Sequence, residues 1–131
     1  LSGADKLSGA VLVLSSHTEQ PLVRRTLPEI GYHIVQEKLC QAAGRFYIFW
    51  RAEPEQADDW TAEEVHYGRL LWVQNPPKML LDYCRYRIKV MADRLTGLAS
   101  ATGDVSRIRG EISAEIDFYQ RKITELEGAL C

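Results

Sequence analysis

The chain has 131 residues, 46% hydrophobic and 26% charged, which suits one ordinary globular domain or two very small ones. Sixteen basic against eighteen acidic residues leave a formal net charge of −2, so no global positive field marks a nucleic-acid binder, although a basic face can sit on an acidic protein. No apolar stretch approaches the roughly 20 residues of a membrane helix, no signal-peptide pattern is present, and Cys40, Cys84 and Cys131 lack metal-ligand spacing and read as reduced thiols of a cytoplasmic chain.

The opening LSGADKLSGA reads as the tail of an earlier element, and the expectation is a piece of a longer protein. Val11 to Leu14 is a continuous apolar run, as in a strand buried on both faces of a parallel sheet. Thr18 or Glu19 can open a helix that runs through Leu22, Val23, Leu27 and Ile30 and stops at Gly31. Pro28 conflicts with that span and predicts a kink or an early end. YHIVQEKLCQ reads as a strand with Ile34, Gln36 and Lys38 on one face and Val35, Glu37 and Leu39 on the other; neither face is cleanly apolar, so it belongs near an edge. AAG turns the chain into RFYIFWRAE, a strong strand. Strand, helix and strand imply a parallel pair, and the tight turn an antiparallel last strand.

Pro54 to Asp59 is a polar, acidic linker, after which the period becomes helical. Thr61-Ala-Glu-Glu has the spacing of a capping box for a short helix ending near Tyr67-Gly68. Asn75-Pro76-Pro77 then starts a long helix with apolar positions Leu81, Cys84, Ile88, Met91, Leu95 and Leu98. Thr102-Gly103-Asp104 breaks it. The next helix repeats the pattern through Val105, Ile108, Ile112, Ile116, Tyr119, Ile123, Leu126 and Leu130. These are coiled-coil seams, and the short break favours an antiparallel hairpin. The division expected is residues 1–53 as the end of an α/β domain, 54–75 as linker and short helix, and 76–131 as the hairpin. A half-sheet of about 50 residues buries too little by itself. There is no G-x-G-x-x-G and no G-x-x-x-x-G-K loop.

The order of an L-V-L strand end, a helix closed by Gly31, GRFYIF, YGRLL, NPP and a helical hairpin resembles the C-terminal half of the bacterial tRNA (adenine-N1) methyltransferases that act on adenine 22. Gly44, Phe46 and Tyr47, with Tyr67, Gly68 and Leu71, carry most of the likeness. The resemblance implies a class I, S-adenosylmethionine-dependent parent with a Rossmann-like sheet and a C-terminal coiled coil. It also implies that the cofactor loop and catalytic acid lie N-terminal to these residues, so none is expected here. The family's L-I-L-Q-P-N strand end is replaced by Leu12-Val13-Leu14-Ser15-Ser16-His17.

In open α/β sheets ligands sit at the carboxyl ends of strands. Ser15, Ser16 and His17 are at such an end and can meet a base or a phosphate; the alternative is that they only close the strand and start the helix. Lys78, Arg85, Arg87, Lys89 and Arg94, followed by Arg107 and Arg109, can track tRNA phosphates, or else form intrahelical ion pairs. Arg24 and Arg25 can extend the track but suit a solvated face better. Trp50, Trp60 and Trp72 can stack on bases but suit packing better. His33 and His66 suggest no metal site. The reading is the C-terminal portion of a tRNA methyltransferase, inactive by itself and prone to self-association. The rival is a non-enzymatic coiled-coil interaction or dimerisation module.

Overall fold

A computed structural model describes residues 11–16, 20–56 and 59–130. His17 lies outside them. Contacts divide the chain into two units, Leu1–Asn75 and Pro76–Cys131.

The first unit holds strands β1 (Leu12–Ser16), β2 (His33–Ala42) and β3 (Arg45–Glu53), with helices α1 (Gln20–Glu29), α2 (Ala62–Tyr67) and α3 (Leu71–Gln74). The strand order is β1-β3-β2, and β3 is antiparallel to both neighbours. This corrects the expected parallel pair. The intervening helix does make β1 and β2 run the same way, but β3 folds back between them and takes both of their edges. β2 is an edge strand, as its mixed faces imply. The β2–β3 turn is Ala43-Gly44, with φ of 52° and 74°, the positive pair of a tight hairpin.

The alternation expected in β2 is broken by a bulge. Ile34 faces Ala52 and Gln36 faces Arg51, which leaves Val35 unpaired. The extra residue brings Ile34 onto the same face as Glu37 and Leu39. These three are buried against Phe46, Ile48, Trp50 and Ala52 of β3. β1 is not buried on both faces: Val13 is 67% exposed and Leu14 38%. Among the described residues its only paired edge is the one on β3.

α1 ends where Gly31, at φ +82°, closes it. Tyr32 N–H donates to the Leu27 carbonyl at 2.9 Å and Gly31 N–H to that of Pro28 at 3.1 Å, a Schellman cap with Leu27 and Tyr32 both buried. Pro28 falls in the last turn, where it removes the N–H that would bond the Arg24 carbonyl, and the helix ends one residue later at Glu29. α2 has the expected capping box: Glu64 N–H donates to Thr61 Oγ1, and Thr61 N–H to the Glu64 carboxylate.

The second unit is α4 (Pro77–Leu98) and α5 (Ser106–Leu130). Pro77 sits in the first turn, where it has no intrahelical bond to lose. The helices run antiparallel, with Arg87 reaching Glu115 at 2.8 Å and Tyr83 meeting Tyr119 edge-on at 5.9 Å. Met91, Ile112, Cys84 and Tyr119 of the expected seams are buried, while Ile108 and Leu130 are exposed.

Candidate functional site: a basic helical tip and a clamped linker

The expected nucleic-acid residues sort by what they already hold. Ser15 is exposed and Ser16 half-buried at the carboxyl end of β1, opposite Phe49 and Ile48. On α4, Lys78 lies 3.7 Å from Asp82, and Arg85 reaches both Asp82 and Glu127. Arg87 is mostly enclosed, on Glu115 and 6.0 Å above the Tyr119 ring. Burial opposes its charge, but Tyr119, Tyr83 and Glu115 outweigh burial and raise its pKa above that of ordinary arginine. Arg107 pairs with Glu111 at 3.4 Å.

Lys89, Arg94 and Arg109 are different. All three are exposed, and none pairs with a carboxylate among the described residues. Arg94 Nη1 donates to the Met91 sulfur at 3.9 Å. Arg94 is near the end of α4 and Arg109 near the start of α5, beside the turn between them. There Gly103, Ser106, Arg109, Gly110 and Ser113 line a concavity of about 490 Å³. Asp104 closes the start of α5 by accepting from both the N–H and hydroxyl of Ser106, and these bonds hold its carboxyl below the usual range.

Arg24 does not extend any basic track. It is 1% exposed, and its Nε donates to Glu37 at 2.6 Å. Glu37 has no exposed surface. Its Oε2 also accepts from Trp50 Nε1 at 2.9 Å. Its Oε1 accepts the backbone N–H groups of Arg69, Leu70 and Leu71 at 2.9, 2.7 and 3.1 Å. Arg24 Nη1 donates to the Val65 and His66 carbonyls at the end of α2, which attract a cation. The next residues zip onto the outer edge of β2. Gln74 accepts from Glu37 N–H and donates to the Val35 carbonyl. Asn75 accepts from Leu39 N–H and donates to the Glu37 carbonyl.

These contacts explain YGRLL and the Asn of NPP. Gly68, at φ +105°, lies over Arg24, where an added Cβ would come within 2.8 Å of Nη2. The two motifs hold residues 68–75 against β2. Trp50 is likewise a core residue.

The sequence holds no G-x-G-x-x-G loop, and among the described residues the end of β1 carries Ser15 and Ser16. Between β1 and α1 lies instead an apolar groove of about 440 Å³, lined by Leu12, Leu14, Leu22, Val23, Thr26, Leu27 and Ile30. No helix among the described residues is long and apolar enough to cross a membrane, and they hold no cluster of metal-binding side chains.

This is the α/β fold of a group of solved methyltransferase structures. Sp1610 of Streptococcus pneumoniae, a candidate tRNA (m1A22) methyltransferase, superposes with a TM-score of 0.73 at 20% identity, over 93% of this chain and 53% of its own. The same protein in complex with S-adenosyl-L-methionine gives 0.69 at 19% identity, over 93% and 51%. The Bacillus subtilis m1A22 tRNA methyltransferase TrmK gives 0.67 at 17% identity, over 93% and 55%. The chain thus spans about half the length of the structures it matches. No protein-family profile and no curated protein sequence matches it.

Proposed function

We propose that this chain is the C-terminal portion of an S-adenosylmethionine-dependent tRNA (adenine-N1) methyltransferase. It supplies the closing strands of the catalytic sheet and a coiled-coil hairpin that positions RNA. The observation that carries the reading is the match over 93% of this chain and only 53% of a tRNA methyltransferase candidate, together with what β1 leaves open. An apolar strand with one edge unpaired among the described residues, beside an apolar groove, is what the rest of a parallel sheet would cover. In this reading the cofactor and catalytic acid come from the other half, and Ser15 and Ser16 line the cleft wall. Lys89, Arg94 and Arg109 meet tRNA phosphates, because phosphate need not displace a carboxylate to reach them. His17 stays in this proposal by its place in the sequence, and Lys78, Arg85, Arg87 and Arg107 are secondary because each is already paired.

Calorimetry with S-adenosylmethionine and gel shifts with tRNA test it. The expected outcome is no stoichiometric cofactor binding by this chain, and tRNA binding that weakens steeply with salt. Replacing Lys89, Arg94 and Arg109 by Ala flattens the salt dependence by about one log–log unit per lost phosphate contact. Unchanged tRNA binding by that variant overturns the RNA role, and tight cofactor binding overturns the division of labour. The rival, an interaction module, draws support from the same open β1 edge, which can pair with another copy.

A further inference from the structure

The first unit carries a second concavity that the methyl-transfer reading does not use. It measures about 270 Å³ and is lined by His33, Ile34, Val35, Trp60, Arg69 and Leu70. Arg69 lies over the Trp60 ring at 5.8 Å, so the indole forms the floor of an aromatic shelf with a cation above it. His33 starts β2 opposite Glu53, whereas Ser16 faces Ile48. The shelf is therefore about 16 Å along β3 from the strand end where a cofactor cleft would lie.

Two of its side chains already face carboxylates. Arg69 is 3.7 Å from Glu64, and His33 Nε2 is 3.8 Å from Glu55. An added phosphate would have to compete with both carboxylates. What remains unpartnered is His33 Nδ1, buried without a hydrogen bond beside the Arg69–Trp60 pair and between Ile34 and Leu70. The matching chemistry is a neutral planar ring with a polar edge, which can stack beside the Arg69–Trp60 pair while its edge reaches His33 Nδ1. We propose that this shelf takes one unpaired nucleobase, as an auxiliary contact away from the methylated base. The proposal rests on the RNA reading above. A free nucleoside offers the same ring, so the experiment separates the two sources.

The test titrates the chain with adenosine and with a ten-nucleotide single-stranded RNA, following the Trp60 indole N–H by NMR. Trp60→Leu and His33→Ala are compared with the parent chain, with retained amide spectra as proof of folding. The expected result is a shift of the Trp60 signal with the RNA, and about a tenfold loss of RNA affinity in Trp60→Leu. The shelf's share of affinity, the ratio of parent to Trp60→Leu, stays constant as salt rises, unlike that of the basic tip. Adenosine binding as tightly as the RNA makes the shelf a nucleoside site and overturns the RNA assignment. An unmoved Trp60 signal, or equal RNA affinity in folded Trp60→Leu and His33→Ala, overturns the shelf. If these results fail while tRNA binding still depends on Lys89, Arg94 and Arg109, the tRNA reading survives. If the shelf results hold and that dependence is missing, the basic tip alone is wrong.

Discussion

A carboxylate with no exposed surface must find every proton donor it needs inside the protein, and Glu37 finds five. Glu37→Gln sets an amide N–H group against a donor in at least one direction and leaves Arg24 buried without its counter-charge. The expected loss is about 3–5 kcal/mol in urea unfolding. Gly68→Ala is expected to destabilise by more than about 1 kcal/mol, since the new Cβ meets Arg24 and φ is +105°. Gly110→Ala, in the open middle of a helix turn, should instead raise Tm, through a gain of about 0.5–1 kcal/mol. Burial pushes the Cys84 thiol up to about 12, with Lys122 and Arg85 pulling partly the other way. In the unfolded chain it ionises near 9.0. Its contribution to stability is therefore complete below pH 9 and is lost as pH rises towards about 12. Unfolding titrations at pH 8 and above should show that decline, and it should be shallower in Cys84→Ala, where buried Tyr119 still contributes. None of this network was legible in the sequence. Arg24 beside Arg25 looks like surface charge, and its partner is 13 residues away on a strand whose alternation is itself interrupted.

The elements themselves were legible where their signals are local. The capping box at Thr61, the Pro77 start, the Gly31 stop and the Ala43-Gly44 turn all follow from residues within one turn of each other. Strand order was not, because the slot between β1 and β2 is filled by a strand that comes later in the chain. The bulge at Val35 was hidden for a related reason: an unpaired residue leaves no mark in the pattern until the partner strand is known. Gln74 and Asn75 show a further device, in which side-chain amides stand in for a missing strand along β2. Asn75→Ala should cost about 1–3 kcal/mol by leaving Leu39 N–H unsatisfied, and should speed aggregation on a light-scattering assay. Asn75→Asp, which sets a carboxylate oxygen against the Glu37 and Leu71 carbonyls, should cost at least as much as Asn75→Ala.

For the molecule as a whole, the edge of β1 left unpaired among the described residues is expected to set behaviour in solution. Val11, Val13, Leu14 and Leu22 are all exposed. Concentration-dependent self-association is expected by light scattering, and Val13→Lys should shift it towards monomer. A monomeric parent chain at high concentration would remove the edge argument. The basic tip was half legible: the cations stand out in sequence, but which of them hold carboxylates depends on the facing helix, as Arg85 with Glu127 and Arg87 with Glu115 show. The two units also differ in time. α4 and α5 are joined by a short turn, so their contacts can form early. The Glu37 carboxylate gathers residues 24, 50 and 69–71, and it can be satisfied only after three distant stretches have already met. Such a late lock contributes little to the folding transition state, and its chief effect is on how long the folded unit lasts. Weakening it should leave refolding rates nearly unchanged and shorten the lifetime of the native state, so Glu37 acts as a latch on departure rather than a guide on entry.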